Sequence, residues 1–135
     1  MLPESLRSLP YQVHTNRELG LMLRGVKPLA VFSYSEGFEV DFLLRYLRLF
    51  DRHVGEGRLN RRERLTALPG SLNTLHHHLF YTLPGEDWRV DAVIDLLRLD
   101  GPWSEERERT YGSLLGYEDW QNDVWLSRVR RHGGG

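Results

Sequence analysis

Apolar residues recur along the chain at two spacings, and these predict the order of its helices and strands. Residues 15–25 open with the Thr-x-x-Glu pattern of a capping box, and their apolar positions have helical spacing. The nearly continuous apolar run 29–34 predicts a buried strand. Over 38–54, apolar residues return every three or four positions opposite a stripe of arginines, which predicts an amphipathic helix.

The second half begins with two strands and then becomes helical. Residues 58–68 are polar with scattered leucines and predict an edge strand, whereas 75–83 alternate as a strand does, after a turn at Pro69-Gly70-Ser71. Three helices are then predicted, over 88–99, 104–116 and 118–130, separated by glycine and proline.

The resulting order, αβαββααα, predicts an α+β fold. We expect a small, mainly antiparallel sheet with helices packed on one face, as a two-layer sandwich with a helical C-terminal half. No repeat or linker interrupts the pattern, so residues 1–131 are predicted to form one domain, and 132–135 a mobile tail.

Composition removes several classes of function. The chain of 135 residues has no cysteine, which excludes disulfides, Cys-ligated metals and thiol catalysis. No P-loop, dinucleotide-binding, nucleophile-elbow or EF-hand motif is present. The sequence also shows neither a secretory signal nor a membrane-spanning run, so a cytoplasmic protein without membrane contact is expected.

Charge is unevenly distributed although the formal net charge is only -1. The stretch 45–64 contains seven arginines and three acidic residues, whereas 86–123 contains eleven acidic residues and four arginines. A nucleic-acid interface is one alternative for the basic stretch, through Arg58, Arg61, Arg62 and Arg64. The near-neutral net charge argues against it. Lys27 is the only lysine among eighteen basic residues, which we attribute to codon usage.

Three consecutive histidines are the most conspicuous local feature. On a strand, His76 and His78 lie on one face and His77 on the other. Either His76 or His78 could act as a general acid or base with Asp91 as its orienting partner, which gives a histidine-dependent or metal-assisted small enzyme as the first alternative, ahead of nucleic-acid binding. Two imidazoles are too few ligands for a zinc or iron site, so no metal or other cofactor is expected.

The beginning of the last helix has the composition of a protein-binding surface. Tyr117 and Trp120 are aromatic anchors among Glu118, Asp119 and Asp123.

Helical spacing places Trp120 and Trp125 on different sides, and we expect Trp125 in the core. The leading prediction is a binding domain of the adaptor, inhibitor or toxin-neutralising type. Its partner is another protein, with basic character expected and a second copy of the chain left open.

Overall fold

The computed structural model describes residue 6 and residues 8–37, 39–67 and 75–133. Within these ranges the order of elements is the predicted one. The elements are α1 (Glu18–Leu23), β1 (Leu29–Ser35), α2 (Asp41–Gly55), β2 (Asn60–Ala67), β3 (Leu75–Thr82), α3 (Trp88–Arg98), α4 (Glu105–Leu114) and α5 (Asp119–Gly133). None of the helices in these ranges combines the length and the apolar character needed to cross a bilayer.

The three strands form one antiparallel sheet in the order β1-β3-β2. The central strand β3 pairs over its whole length with β2, from Ala67↔Leu75 to Asn60↔Thr82, and with β1 from Ser35↔His76 to Leu29↔Thr82. The helices α3, α4 and α5 follow the sheet in the chain. This confirms the predicted α+β class with an antiparallel sheet and a helical C-terminal half.

The sheet lies between two layers of helices, so the prediction that all helices pack on one face is wrong. Leu79 and Tyr81 contact a cluster that includes α1 and α2, whereas Phe80 belongs to a cluster with α3 and α4. The reason is the run Leu79-Phe80-Tyr81-Thr82, in which each residue is at most 2% exposed. Burial of consecutive residues requires cover on both faces of a strand.

Each face has its own apolar cluster. On the face covered by α2, the buried members are Met22, Ala30, Leu47, Phe50, Leu59, Leu79 and Tyr81. On the face covered by α3, they are Leu29, Phe80, Val90, Val93 and Leu114. We call these the α2 face and the α3 face of the sheet.

The first helix begins later than the capping-box pattern predicts. Asn16 has a left-handed conformation with φ of 66°, and the backbone N–H of Arg17 donates to the carbonyl of His14 at 2.8 Å. This turn makes Arg17 the N-cap, where no side chain caps the helix. The predicted capping box is therefore wrong. The Glu18 carboxylate instead accepts a hydrogen bond from the Tyr46 hydroxyl at 3.1 Å.

Some sequence predictions concern residues outside the described ranges. These are the first residue of the predicted helix 38–54, the end of the strand 58–68 and the turn at 69–71. Helix α5 continues to Gly133, and residues 134–135 lie outside the described part. The mobile tail at 132–135 therefore stays a prediction.

Gly116 joins α4 to α5 where the chain passes close to the residue that precedes β1. Its φ is 101°, a conformation that L-amino acids rarely adopt. A Cβ atom at this position would lie 2.7 Å from Cδ of Pro28. Because the proline ring is rigid, an added methyl group would have to displace backbone.

We expect Gly116→Ala to lower the free energy of unfolding by about 2 to 4 kcal/mol, through backbone strain and overpacking. The matched control is Gly20→Ala in α1, where an added Cβ meets nothing within 4 Å. That change should alter stability by less than about 1 kcal/mol, in the stabilising direction, because alanine favours helix. Urea denaturation followed by circular dichroism measures both. Equal effects would contradict the role assigned to Gly116.

Candidate functional site

The three histidines lie in the first half of β3. His76 and His78 point to the α3 face and His77 to the α2 face, as the strand register requires. Nδ1 of His78 is 3.0 Å from Oγ of Ser33, and Nδ1 of His76 is 3.1 Å from Oγ of Ser35. Each of these two imidazoles is thus oriented by a serine of β1.

The structure does not bring Asp91 to the histidines. Its Oδ1 accepts a hydrogen bond from Nη2 of Arg62 at 3.0 Å, across the gap between α3 and β2. Among the described residues, no hydrogen bond or ion pair joins Asp91 to His76 or His78. No group of three or more His, Asp or Glu side chains in the described ranges is arranged to hold a metal ion.

The four arginines of the predicted nucleic-acid interface do not form one surface. Arg61 points to the α2 face, whereas Arg62 and Arg64 point to the α3 face. Three of the four pair with carboxylates: Arg58 with Glu56, Arg61 with Asp51 and Glu63, and Arg62 with Asp91. Arg64 has no ion pair within the described part of the chain. Most of this positive charge is therefore neutralised inside the molecule.

Tyr117 and Trp120 belong to a chain of aromatic contacts at the start of α5. The Tyr11 ring packs edge-on against both, with centroids 6.0 Å from Tyr117 and 5.6 Å from Trp120. Nε1 of Trp120 donates to Oε2 of Glu118 at 2.5 Å. Trp120 is 47% exposed, yet its ring is held by two neighbours.

The three predicted acidic residues have different surroundings. Glu118 accepts the hydrogen bond from Trp120, and Asp119 is exposed as the first residue of α5. Asp123 forms an ion pair with Arg109 at 2.6 Å. No ion pair of Asp119 occurs among the described residues. The negative charge next to Trp120 therefore comes from Glu118 and Asp119.

An apolar cleft of about 280 Å³ opens beside these residues. Its apolar lining includes Tyr11, Val13, Tyr111, Leu115, Tyr117 and Trp125. Trp125 is half-buried, and its Nε1 donates to Oε1 of Glu108 at 3.0 Å. Tyr11 and Tyr117 line the cleft and also link it to Trp120, so the cleft and the exposed indole form one continuous aromatic surface.

Sequence reasoning missed the residue that fixes Tyr117 in place. Lys27 is only 2% exposed. Its Nζ is 2.8 Å from Nδ1 of His14 and donates to the carbonyl of Leu115 at 2.7 Å. The His14 ring stacks on the Tyr117 ring at 3.8 Å, and its backbone N–H donates to the Tyr117 hydroxyl at 2.8 Å. Lys27 thus holds His14 in place, and His14 in turn holds Tyr117, which lines the cleft.

Burial disfavours positive charge on this pair of side chains. It lowers the pKa of Lys27 from 10.5 to about 7, against the opposing effect of Glu18. Burial and the charge of Lys27 lower the pKa of His14 from 6.5 to about 4.

The composition contains a signal for this position. Lys27 is the only lysine among eighteen basic residues, and a guanidinium cannot lose its charge as an amine can.

Comparison with protein-family models, with curated proteins and with solved structures gave no match. The function is therefore inferred from the residues themselves.

We expect the stability of the protein to rise with pH above neutrality because of Lys27. Between pH 7 and 10.5 the unfolded chain holds a proton on this amine that the folded protein has lost. Stability then increases with pH, by up to about 1.4 kcal/mol per pH unit. Urea denaturation at pH 7 and at pH 9 should show a gain of about 2 kcal/mol, and Lys27→Met should remove that gain.

The decisive quantity is the difference in pH slope, so a general loss of stability in Lys27→Met does not obscure it. NMR of the ¹⁵N-labelled lysine amine tests the same point without a variant, because the chain has one lysine. A titration midpoint at the ordinary lysine value would contradict the assignment.

Proposed function

We propose that this chain is a binding domain for another protein, of the adaptor, inhibitor or toxin-neutralising type. The partner docks on the surface formed by Tyr11, Tyr117, Glu118, Asp119 and Trp120, which we call the aromatic–acidic surface. The observation that carries the proposal is Trp120, an indole that is 47% exposed and yet fixed by Tyr11 and Glu118.

A fixed, exposed indole suits association because little side-chain entropy remains to be lost on binding. Tryptophan is also enriched among the residues that contribute most to the free energy of protein association. The adjacent cleft has room for an apolar side chain of the partner, which would pack between Tyr117 and Trp125. The exposed indole of Trp120 therefore lies beside a cleft, whereas the surface of an ordinary solvated helix has neither feature.

Charge at the edge of this surface favours a basic partner. Glu118 and Asp119 lie next to the indole, and among the described residues only Asp123 of the predicted acidic set pairs with an arginine. Exposed charges of this kind act mainly on the rate of association and on the choice of partner. We therefore infer a segment with an apolar anchor residue flanked by lysine or arginine.

Selection of random peptides displayed on phage against the parent protein tests the proposal, and the Trp120→Ala variant is used only afterwards, on the selected peptides. We expect enriched peptides to combine an aromatic or large aliphatic residue with basic neighbours. Trp120→Ala should raise the Kd of a selected peptide about 10- to 100-fold, as for a central anchor. Isothermal titration calorimetry measures this change.

Trp88→Ala is the matched control, because Trp88 is 54% exposed and does not line the cleft. It should leave the Kd unchanged. Asp119→Asn, at an exposed position in the first turn of α5, provides a second variant and should weaken basic peptides, with a loss of stability of at most about 1 kcal/mol because the helix dipole favours a negative charge there. If no sequence is enriched, or if the selected peptides bind Trp120→Ala as tightly as the parent, the proposal is wrong.

A further inference from the structure

The sheet carries a second group of polar side chains, which the proposed function does not use. On the α3 face, the strand register places Ser33, His78 and Arg64 in one row across the three strands. Ser35 and His76 lie in the next row. We call these five residues the histidine patch.

The described helices leave the histidine patch open. The apolar cluster of the α3 face extends to Phe80, and the patch begins at His78, two residues earlier in the same strand. Ser33 is exposed, and the other four residues are half-buried. A small ligand can reach the patch without displacement of a described helix.

Both imidazoles are held in a defined orientation. Their Nδ1 atoms are within hydrogen-bond distance of Ser33 and Ser35, and the ring centroids are 4.6 Å apart. Because each Nδ1 is taken by a serine, Nε2 is the nitrogen of each ring left for a ligand. The two rings therefore lie side by side on one face of the sheet, each with its Nε2 left for a ligand.

Within the described part of the chain, no carboxylate pairs with the positive charge of the patch. Arg64 has no ion pair within the described residues, whereas Arg62 on the same face is paired with Asp91 at 3.0 Å. None of the residues that the three strands direct to this face is acidic. The only acidic residue of β2, Glu63, points to the other face and binds His77 at 2.8 Å.

His78 is affected by this charge. Burial, the neighbouring His76 and the guanidinium of Arg64 together lower the pKa of His78. A bound anion would offset the two electrostatic contributions.

We propose that the histidine patch binds the phosphoryl group of a phosphate monoester. The guanidinium of Arg64 and the Nε2–H groups of His76 and His78 provide donors on three side chains, and a phosphoryl group has three terminal oxygens to accept them. A carboxylate has only two oxygens and a single charge. The hydroxyls of Ser33 and Ser35 fix the orientation of the two rings.

Titration with phenyl phosphate, followed by NMR of the histidine ring signals, tests the proposal. Saturable shifts are expected for His76 and His78 and not for the buried His14. Benzoate, which replaces the phosphoryl group by a carboxylate, and dimethyl phosphate, which carries one charge, should each bind at least about fivefold more weakly. A parallel titration with inorganic phosphate distinguishes free phosphate from an organic monoester as the ligand of the site. Equal affinity assigns the site to phosphate itself, and tighter binding of the ester assigns it to an organic monoester.

The decisive comparison is between two arginines of the same strand and the same face. Arg64→Gln should raise the Kd of phenyl phosphate at least about tenfold, and the ion-paired control Arg62→Gln by less than about threefold. If Arg64→Gln does not fold, His78→Gln replaces it, with the same expected direction. Equal losses in the Arg62 and Arg64 variants, or no saturable shift at about 20 mM ligand, would overturn the proposal.

Discussion

The buried amine of Lys27 is the contact on which the arrangement of this molecule depends. The amine contacts His14 and donates to the carbonyl of Leu115, which lies 88 residues after Lys27 in the chain. That carbonyl lies at the C-terminal end of α4, where the helix dipole favours a donor. From His14 the contacts continue to Tyr117, then through Tyr11 to Trp120. The exposed anchor of the proposed interface is thus connected to the interior through packed rings.

Burial explains why a lysine and not an arginine occupies position 27. A guanidinium keeps its charge, and a buried charge without a carboxylate partner is costly. An amine whose pKa falls to about 7 can donate to Leu115 and contact His14 while partly uncharged. The hydrogen bonds keep the α4–α5 connection against the segment before β1. The close approach of Gly116 to Pro28 is part of the same contact.

Local pattern predicted the elements well because helix and strand spacing are local properties. The helix predicted to start at residue 104 has Ser104 as its N-cap, since the Ser104 hydroxyl accepts a hydrogen bond from the N–H of Arg107. The Thr15 capping box failed because the left-handed turn at Asn16 changes the helix start. The second helical layer was missed because His76 and His78 alternate with apolar residues in β3. Such alternation is typical of a strand with one face packed on the core and the other exposed to solvent. The surroundings of Trp120 depend on Tyr11, and those of Lys27 on His14 and Leu115, contacts between distant segments that no local spacing reveals.

The folded structure, and not the sequence, determines which charged side chains form ion pairs and which remain unpaired. The basic stretch and the acidic second half meet at Arg62 and Asp91, while Arg58 and Arg61 find carboxylates closer in sequence. Such exposed pairs contribute little to stability, but they remove charge from the surface. Within this set of arginines, Arg64 is left without a carboxylate among the described residues, and it lies beside two oriented imidazoles. Near α5, Asp119 is left in the same way beside a fixed indole. A charge that has no ion-pair partner in the folded protein is available to a ligand. We therefore expect the histidine patch to bind an anion and the aromatic–acidic surface to bind a basic partner.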